Sequence, residues 1–199
     1  NVFAPLIYYS RFFALGVSFL VGLFIYLRGR KELSNNLLFI ITIVLSVWIF
    51  GDLVLWASEK PSMVMFFWSL INIFEPLVYL FSLYFFLVFV DKKDISVGKK
   101  VLFVGLVLPI LALASTRFGM LGFDLSNCDR AAIEGPIAQY GYFLEIFFVG
   151  WIVFAAVNRF RKAPTKEARA QIIIMASALF VFLTSFSLGN IVEVFTDNW

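Results

Sequence analysis

Histidine is absent from this 199-residue chain, and cysteine occurs once, at Cys128. Histidine is the commonest transition-metal ligand and the usual general base, so its absence argues against metal catalysis and against a Cys-His or Ser-His nucleophile. A single cysteine cannot form a disulfide within the chain. No lysine lies inside a long apolar run, where a retinal Schiff base would need one. The sequence therefore predicts no catalytic residue, no metal site and no cofactor.

Charged residues are also scarce: they make up 15% of the chain, whereas 62% of the residues are hydrophobic and 26 are Phe. A soluble domain of this size could not bury that much apolar surface. Segments 101–114 and 171–188 carry no charge at all, and a helix needs about 20 mostly apolar residues to cross a bilayer. The lipid bilayer is the predicted partner. The net charge of +3 lies in the connecting segments, so it does not indicate nucleic-acid binding.

Six apolar stretches, separated by charged or turn-rich segments, predict an all-α polytopic membrane helix bundle that forms one domain over residues 1–199. The predicted transmembrane helices are 4–28, 35–57, 63–90, 99–115, 136–160 and 168–195. The longest connection, 116–135, is too long for a tight turn. We expect it to cover the outer face of the bundle as a lid.

Lysine and arginine are unevenly distributed among the connecting segments. Those after the first, third and fifth helices hold twelve of the sixteen: Arg28, Arg30, Lys31, Lys92, Lys93, Lys99, Lys100, Arg159, Arg161, Lys162, Lys166 and Arg169. The segments after the second and fourth helices hold Lys60, Arg117 and Arg130, and Arg11 lies within the first helix. The positive-inside rule then predicts an extracytoplasmic N-terminus. The same alternation places Trp199 outside, so we expect a seventh helix to follow it.

Five ionisable side chains stand out in the interior of the predicted helices: Arg11, Asp52, Glu75, Glu145 and Glu193. An ionisable group in the membrane costs about 2.5 to 3.5 kcal/mol, so it calls for a partner or a purpose. All five fall in the predicted outer half of the bilayer, on five different helices, with a formal charge sum of −3. We therefore expect a shared polar site in which Glu75 or Glu145 is protonated at neutral pH, or which binds a cation.

Polar residues on these helices recur at intervals of three or four, the spacing of one helical face. The third helix carries such a stripe, and Pro76 within it frees the carbonyl of Asn72 and predicts a kink. The second and sixth helices carry shorter stripes. In chain order the three stripes are Trp48, Asp52 and Trp56; Trp68, Asn72, Glu75, Tyr79 and Ser82; and Thr184, Ser187, Asn190 and Glu193. From these positions we predict a ligand-binding set of Arg11, Asp52, Asn72, Glu75, Tyr79, Glu145, Asn190 and Glu193. The alternative, that these groups only hold helices together by hydrogen bonds and ion pairs, stays open.

Three phrases carry a family resemblance: SNNLLFIITIVLSVWIFGDLVLWAS in the second helix, FFWSLINIFEPLVYLFSLYFFLVFV in the third, and NCDRAAIEGP before the fifth. With the hydropathy and loop spacing, they resemble the N-terminal seven-transmembrane sensor region of bacterial histidine kinases and related diguanylate cyclases. The resemblance implies a bacterial cytoplasmic membrane, a cytoplasmic signalling domain in cis and a homodimer. If the full-length protein is a sensor histidine kinase, its catalytic site lies outside this chain.

The leading hypothesis is a sensory input domain that binds a small molecule, peptide or lipid in its outer half and passes a helix shift to a cytoplasmic partner. Acids and aromatic rings together favour a cationic ligand. The alternative is a small proton- or cation-coupled transporter that uses the buried acids. An intramembrane enzyme fits least, because the lone acids provide no recognised catalytic arrangement.

Overall fold

The computed structural model describes residues 3–29, 32–58, 60–123 and 132–196. These residues form six α-helices and a two-stranded β-hairpin. In chain order the elements are α1 (Phe3–Arg28), α2 (Leu33–Ala57), α3 (Pro61–Asp91), α4 (Val97–Leu113), β1 (Met120–Phe123), β2 (Ala132–Glu134), α5 (Pro136–Lys162) and α6 (Lys166–Thr196). The predicted all-α helix bundle is confirmed, and each helix begins and ends within a few residues of its predicted bounds.

Five of these helices, all except α4, are long and apolar enough to cross a membrane. The fourth helix has 17 residues, which corresponds to about 25 Å at 1.5 Å per residue, the lower limit for a span. The chain is thus a multi-pass membrane protein. Both α3 and α4 continue through an internal proline, at Pro76 and Pro109, which membrane helices tolerate when neighbouring helices pack around them.

Helices α1 and α2 run antiparallel. Arg11 contacts Asp52 near one end of α1 and α2, and Tyr26 stacks on Phe39 near the other. The third helix lies at the centre, because it packs against α2, α4, α5 and α6, whereas α1 packs mainly against α2. Accordingly α3 supplies much of the main core, including the fully buried Leu83 and Phe86.

Large apolar side chains that the bundle leaves exposed line the outer faces of α1, α4, α5 and α6. Phe13 is 74% exposed, and Val101, Ile146 and Ile174 are more than 60% exposed. Such surface is stable when hydrocarbon surrounds it. The sequence patterns predict these faces only weakly, because a helix that is apolar on both its lipid side and its core side shows little periodicity.

The segment predicted only as a lid contains the β-hairpin. Strands β1 and β2 pair antiparallel, with Met120 opposite Glu134 and Phe123 opposite Ala132. The hairpin is fastened to the helix ends at Gly119 and Gly135, where a Cβ atom would overlap the carbonyls of neighbouring residues. The backbone N–H of Gly135 donates to the carbonyl of Gly119 at 3.0 Å. Glycine is therefore required for this close backbone approach.

Candidate functional site

The polar stripe on α3 points into the bundle. Glu75 is 5% exposed, and Tyr79 and Ser82 are fully buried. They lie at spacings of four and three residues, so they share one face of the helix. This face meets α5 and α6, which pack against α3.

Tyr79 begins a chain of hydrogen bonds that joins three helices. Its hydroxyl donates to the backbone carbonyl of Leu183 on α6 at 3.1 Å and also contacts the hydroxyl of Ser187, one turn further along α6. Ser187 Oγ in turn lies 3.2 Å from Oε2 of Glu145 on α5, within hydrogen-bonding distance. Glu145 is 4% exposed. A buried acid on one helix is thus connected, through a serine, to a buried tyrosine on another.

Two further carboxyl groups act on Glu145. Glu75 on α3 and Glu134 on β2 lie near enough for their charges to repel a charge on Glu145. All three also act on the hydroxyl of Tyr142, which lies three residues before Glu145 on the same face of α5. The site is therefore acidic, and in low dielectric its carboxyl groups cannot all ionise without strong mutual repulsion.

The hairpin closes one end of this site. Glu134 on β2 accepts a hydrogen bond from the hydroxyl of Tyr142 on α5, with an Oη to Oε1 distance of 2.5 Å. Burial raises the pKa of Glu134 above its usual range, an effect that the Tyr142 hydrogen bond partly offsets. We name this contact the hairpin latch. It ties the lid predicted for this segment to the helix that carries Glu145.

Aromatic rings form a wall beside the hydrogen-bonded chain. Phe186 on α6 packs edge-on against Trp48 of α2, with ring centroids 4.6 Å apart, and lies 5.9 Å from the ring of Tyr79. The indole nitrogen of Trp48 is buried, and no described residue accepts a hydrogen bond from it. The wall keeps the chain in an apolar surrounding, where each hydrogen bond is stronger than in water.

Arg11 and Asp52 form an ion pair between α1 and α2, with Nη1 and Oδ2 2.5 Å apart. Sequence reasoning placed them in one site with Glu75 and Glu145, but α1 and α2 contribute no member to the chain of Tyr79, Ser187 and Glu145. Because the charges of Arg11 and Asp52 cancel each other, the acidic excess remains on α3, α5 and β2. The pair holds the peripheral helix α1 to the bundle.

The opposite end of the bundle carries a second polar cluster. Arg159 on α5 binds Asp91 at the end of α3 through two hydrogen bonds of 2.6 Å. Asp94, just beyond α3, accepts hydrogen bonds from Tyr84 and from Lys100 of α4. The sequence predicts that Arg159 and Lys100 help to orient the chain in the membrane, and in the structure they also fasten α5 and α4 to α3.

The predicted site residues therefore separate into groups. Glu75, Tyr79 and Glu145 come together, and Asn72 lies half-buried one turn from Glu75 on α3. The side chains of Asn190 and Glu193 lie outside the described residues. Of the other stripe members, Trp68 packs against the small cluster of Leu55, Val64 and Ile71, and Thr184 donates to a carbonyl of its own helix.

Sequence reasoning missed Glu134 and Tyr142, and it left Ser187 out of the predicted binding set. The spacing of Tyr142 and Glu145 is a helical i, i+3 pair, which could have indicated Tyr142. Glu134 lies in a segment expected to be irregular, so only the paired hairpin brings it to α5. Ser187 resembles many helix serines until its partners are known.

The arrangement can hold a proton and redistribute it among hydroxyl and carboxyl oxygens. In the part of the chain that the structure describes, no three Asp, Glu or Cys side chains lie close enough together to hold a metal ion. No family model matches the chain, and neither a curated protein nor a solved structure shows a significant match to it.

Proposed function

We propose that this chain is the membrane-embedded sensory input domain of a bacterial signalling protein. The single observation that carries the proposal is the buried polar chain from Tyr79 through Ser187 to Glu145, which links α3, α5 and α6 inside an otherwise apolar bundle. A polar chain of this kind has discrete bonded and broken states, as a two-state transmitting element requires. The resemblance to sensor regions and the distribution of basic residues support the same proposal.

The stimulus is received at the acidic site below the hairpin latch. A ligand that carries a cationic or hydrogen-bond-donating group competes for Glu145 and releases Ser187 from it. Since Ser187 and Leu183 both contact Tyr79, this release changes how α6 packs against α3. The ligand shifts the population only by the difference in its affinity for the two packings.

The shift reaches the opposite end of the bundle through α3 and α6, and a cytoplasmic domain in cis receives it there. Orientation with the N-terminus outside and the basic connections in the cytoplasm is part of this proposal. Both helices have 31 residues, which is about 46 Å at the standard rise, so a tilt at the acidic site is carried across the full membrane.

A second candidate function is a proton- or cation-coupled transporter. The observation that favours it is the proximity of Glu75 and Glu134 to Glu145, because closely spaced intramembrane carboxyl groups are a common element of proton relays. This candidate needs access to the site from both sides of the membrane, which sensing does not.

The first experiment determines the coding sequence that follows Trp199 in the gene. A further apolar span of about 20 residues joined to a kinase or cyclase domain is the result expected for a sensor. A gene that ends near Trp199 would contradict the sensory proposal and favour transport.

The second experiment measures transmission directly. Spin labels at Lys93 and Glu167, near the distal ends of α3 and α6, report their separation in lipid nanodiscs, with Cys128→Ser as background. Tetraalkylammonium and polyamine cations serve as probe ligands. A distance change that Glu145→Gln abolishes supports sensing at this site.

The same cations are then tested as cargo in proteoliposomes. Saturable uptake that depends on a proton gradient, combined with no distance change between the two labels, would contradict the sensory proposal. An exposed substitution on the lipid face, Ile146→Ala, lies next to Glu145 in sequence but outside the site, so it serves as the matched control.

A further inference from the structure

The oxygen atoms along the chain make three close contacts. Tyr79 Oη contacts the carbonyl oxygen of Leu183 and the hydroxyl of Ser187, and Ser187 Oγ contacts Oε2 of Glu145. A hydrogen bond needs one proton between its two oxygens, and a hydroxyl brings only one. A backbone carbonyl and an ionised carboxylate bring none. The two hydroxyls alone therefore supply two protons for three contacts.

The contact that lacks a proton depends on how the two protons are arranged. When Tyr79 donates to Leu183 and Ser187 donates to Glu145, no hydrogen lies between the Tyr79 and Ser187 oxygens, although these are in contact. When Tyr79 donates to Ser187 instead, the contact with Leu183 loses its proton. An ionised Glu145 thus leaves one of the three contacts without a hydrogen bond inside a buried site.

We propose that Glu145 is a proton-binding site, and that its proton completes the hydrogen-bonded chain which locks α5 to α6 and α6 to α3. With a neutral carboxyl group, Glu145 donates to Ser187, Ser187 donates to Tyr79, and Tyr79 donates to Leu183. All three contacts are then satisfied at once. When Glu145 loses its proton, Ser187 donates to the carboxylate instead, and one of the three contacts is left without a hydrogen bond.

The described residues around Glu145 favour this assignment. Glu75 and Tyr79 face it from α3, Tyr142 from its own helix, and Glu134 from β2. The α6 side contributes the uncharged Ser187. The only charged side chains of α4, those of Lys99 and Lys100, lie at its start, where Lys100 binds Asp94. Among the described residues, the titratable groups next to Glu145 are therefore carboxyl and phenol groups, and the charges of the carboxylates repel a negative charge on Glu145.

The site selects a proton over a metal ion by the same geometry. Its oxygen atoms are arranged in a line from helix to helix. In the described ranges, no three acidic or cysteine side chains lie close enough together to bind one metal ion. A proton needs only two oxygens, whereas a hard divalent cation needs about six. The proposal holds for a sensor and for a transporter alike, because it concerns only the proton that Glu145 binds in the resting state.

Infrared spectroscopy of the 199-residue chain in lipid nanodiscs tests the proposal. A protonated carboxyl group has a C=O stretching band that a carboxylate lacks, so the band at neutral pH reports neutral acids. Glu145→Gln is expected to remove one such band, whereas Glu75→Gln leaves that band in place. Gln keeps both the size of Glu and a donor group, so Glu145→Gln is expected to fold.

Serine variants give an independent readout on a chain that retains Glu145. Ser187→Ala removes the hydrogen-bond partner of the carboxyl group, so it is expected to shift the frequency of the same band. Ser82→Ala is the control, because Ser82 is buried on α3 but none of the described residues hydrogen-bonds to its hydroxyl. It is expected to leave the band unchanged.

Two outcomes would overturn the proposal. The first is a spectrum in which Glu145→Gln removes no carboxylic acid band at neutral pH. The second is a band that Glu75→Gln removes and Glu145→Gln does not, since the proton would then belong to Glu75. If Glu145→Gln fails to fold, the absence of any frequency difference between Ser187→Ala and Ser82→Ala overturns the proposal by itself.

Discussion

The guanidinium group of Arg159 holds both carboxylate oxygens of Asp91, with Nε and Nη2 each 2.6 Å from its partner oxygen. Asp91 is the last residue of α3, and Arg159 lies in the last turn of α5. The two helices that carry Glu75 and Glu145 are thus joined at a second point, near the opposite end of the bundle. A change in helix packing at the acidic site must therefore be accommodated by the parts of α3 and α5 that lie between these two connections.

Replacement of Arg159 by Lys is expected to lower the free energy of unfolding by about 1 to 2 kcal/mol, because an ammonium group cannot form the paired hydrogen bonds of a guanidinium group. The measurement is the unfolding midpoint in mixed micelles. Arg161→Lys makes the same chemical change at an exposed position two residues further along α5 and serves as control. Equal stability of the two variants would contradict the expectation.

Replacement of Tyr142 by Phe removes the hairpin latch without altering the ring. Loss of one buried hydrogen bond to a carboxyl group corresponds to about 1 to 2 kcal/mol, so amide exchange in β1 and β2 is expected to accelerate about 5- to 30-fold. Hydrogen–deuterium exchange with mass spectrometry measures this effect.

A second tyrosine provides the comparison for Tyr142→Phe. Tyr140 donates to the carbonyl of Leu106 on α4 at 2.9 Å, so Tyr140→Phe is expected to increase exchange in α4 and not in the hairpin. Faster hairpin exchange in Tyr140→Phe but not in Tyr142→Phe would contradict the latch.

The stability of the hairpin is expected to depend on pH through Glu134. Burial raises the pKa of this carboxyl group above its usual value of 4.5, so the folded hairpin binds the proton more tightly than the unfolded segment does. Its contribution is therefore fully present below about pH 4.5 and is lost as the pH rises through the raised pKa. Amide exchange rates in β2, measured across this pH interval and corrected for intrinsic exchange, test whether the stability of the hairpin falls as the pH rises. Glu134→Gln is expected to remove this pH dependence.

Asp94 is expected to give the opposite pH dependence at the other end of the bundle. Hydrogen bonds from Lys100 and Tyr84 lower the pKa of Asp94 below its usual value of 3.8. The stabilisation is therefore present above that value and is lost as the pH falls through the lowered pKa. Exchange at the start of α4 is expected to increase under acid, and Asp94→Asn is expected to abolish the change. An increase in exchange that persists in Asp94→Asn would contradict this assignment.

Gly22 allows α1 to approach α2 closely. A Cβ atom at this position would overlap the side chain of Thr42, whereas a Cβ at Gly16 would have no atom within 4 Å. We expect Gly22→Ala to destabilise the packing of α1 by about 1 to 3 kcal/mol through overpacking. Gly16→Ala is expected to be neutral or to stabilise the helix by up to about 1 kcal/mol. Thermal unfolding of the two variants in the same detergent decides the matter, and equal midpoints would contradict the close approach.

The helices themselves follow from the sequence alone. A bilayer cannot hydrogen-bond to backbone groups, so apolar stretches of spanning length must form helices, and charged segments must separate them. Composition and hydropathy therefore suffice to predict the membrane bundle and its helix bounds. Helical spacing also suffices to predict that Glu75 and Tyr79 share a buried face, because this relationship lies within one helix.

Only the tertiary structure decided which helices contribute to one site. Hydropathy does not specify which helices pack together, so Asp52 could be grouped with Glu75 and Glu145 by depth, although it pairs with Arg11. The roles of Ser187, Glu134 and Arg159 each depend on a partner more than 40 positions away or on a strand pairing. Such contacts are set by the packing of helices with similarly apolar surfaces, which depends on shape and on specific hydrogen bonds. Sequence determines that these polar groups enter the membrane; the packing of α3, α5 and α6 determines which of them meet.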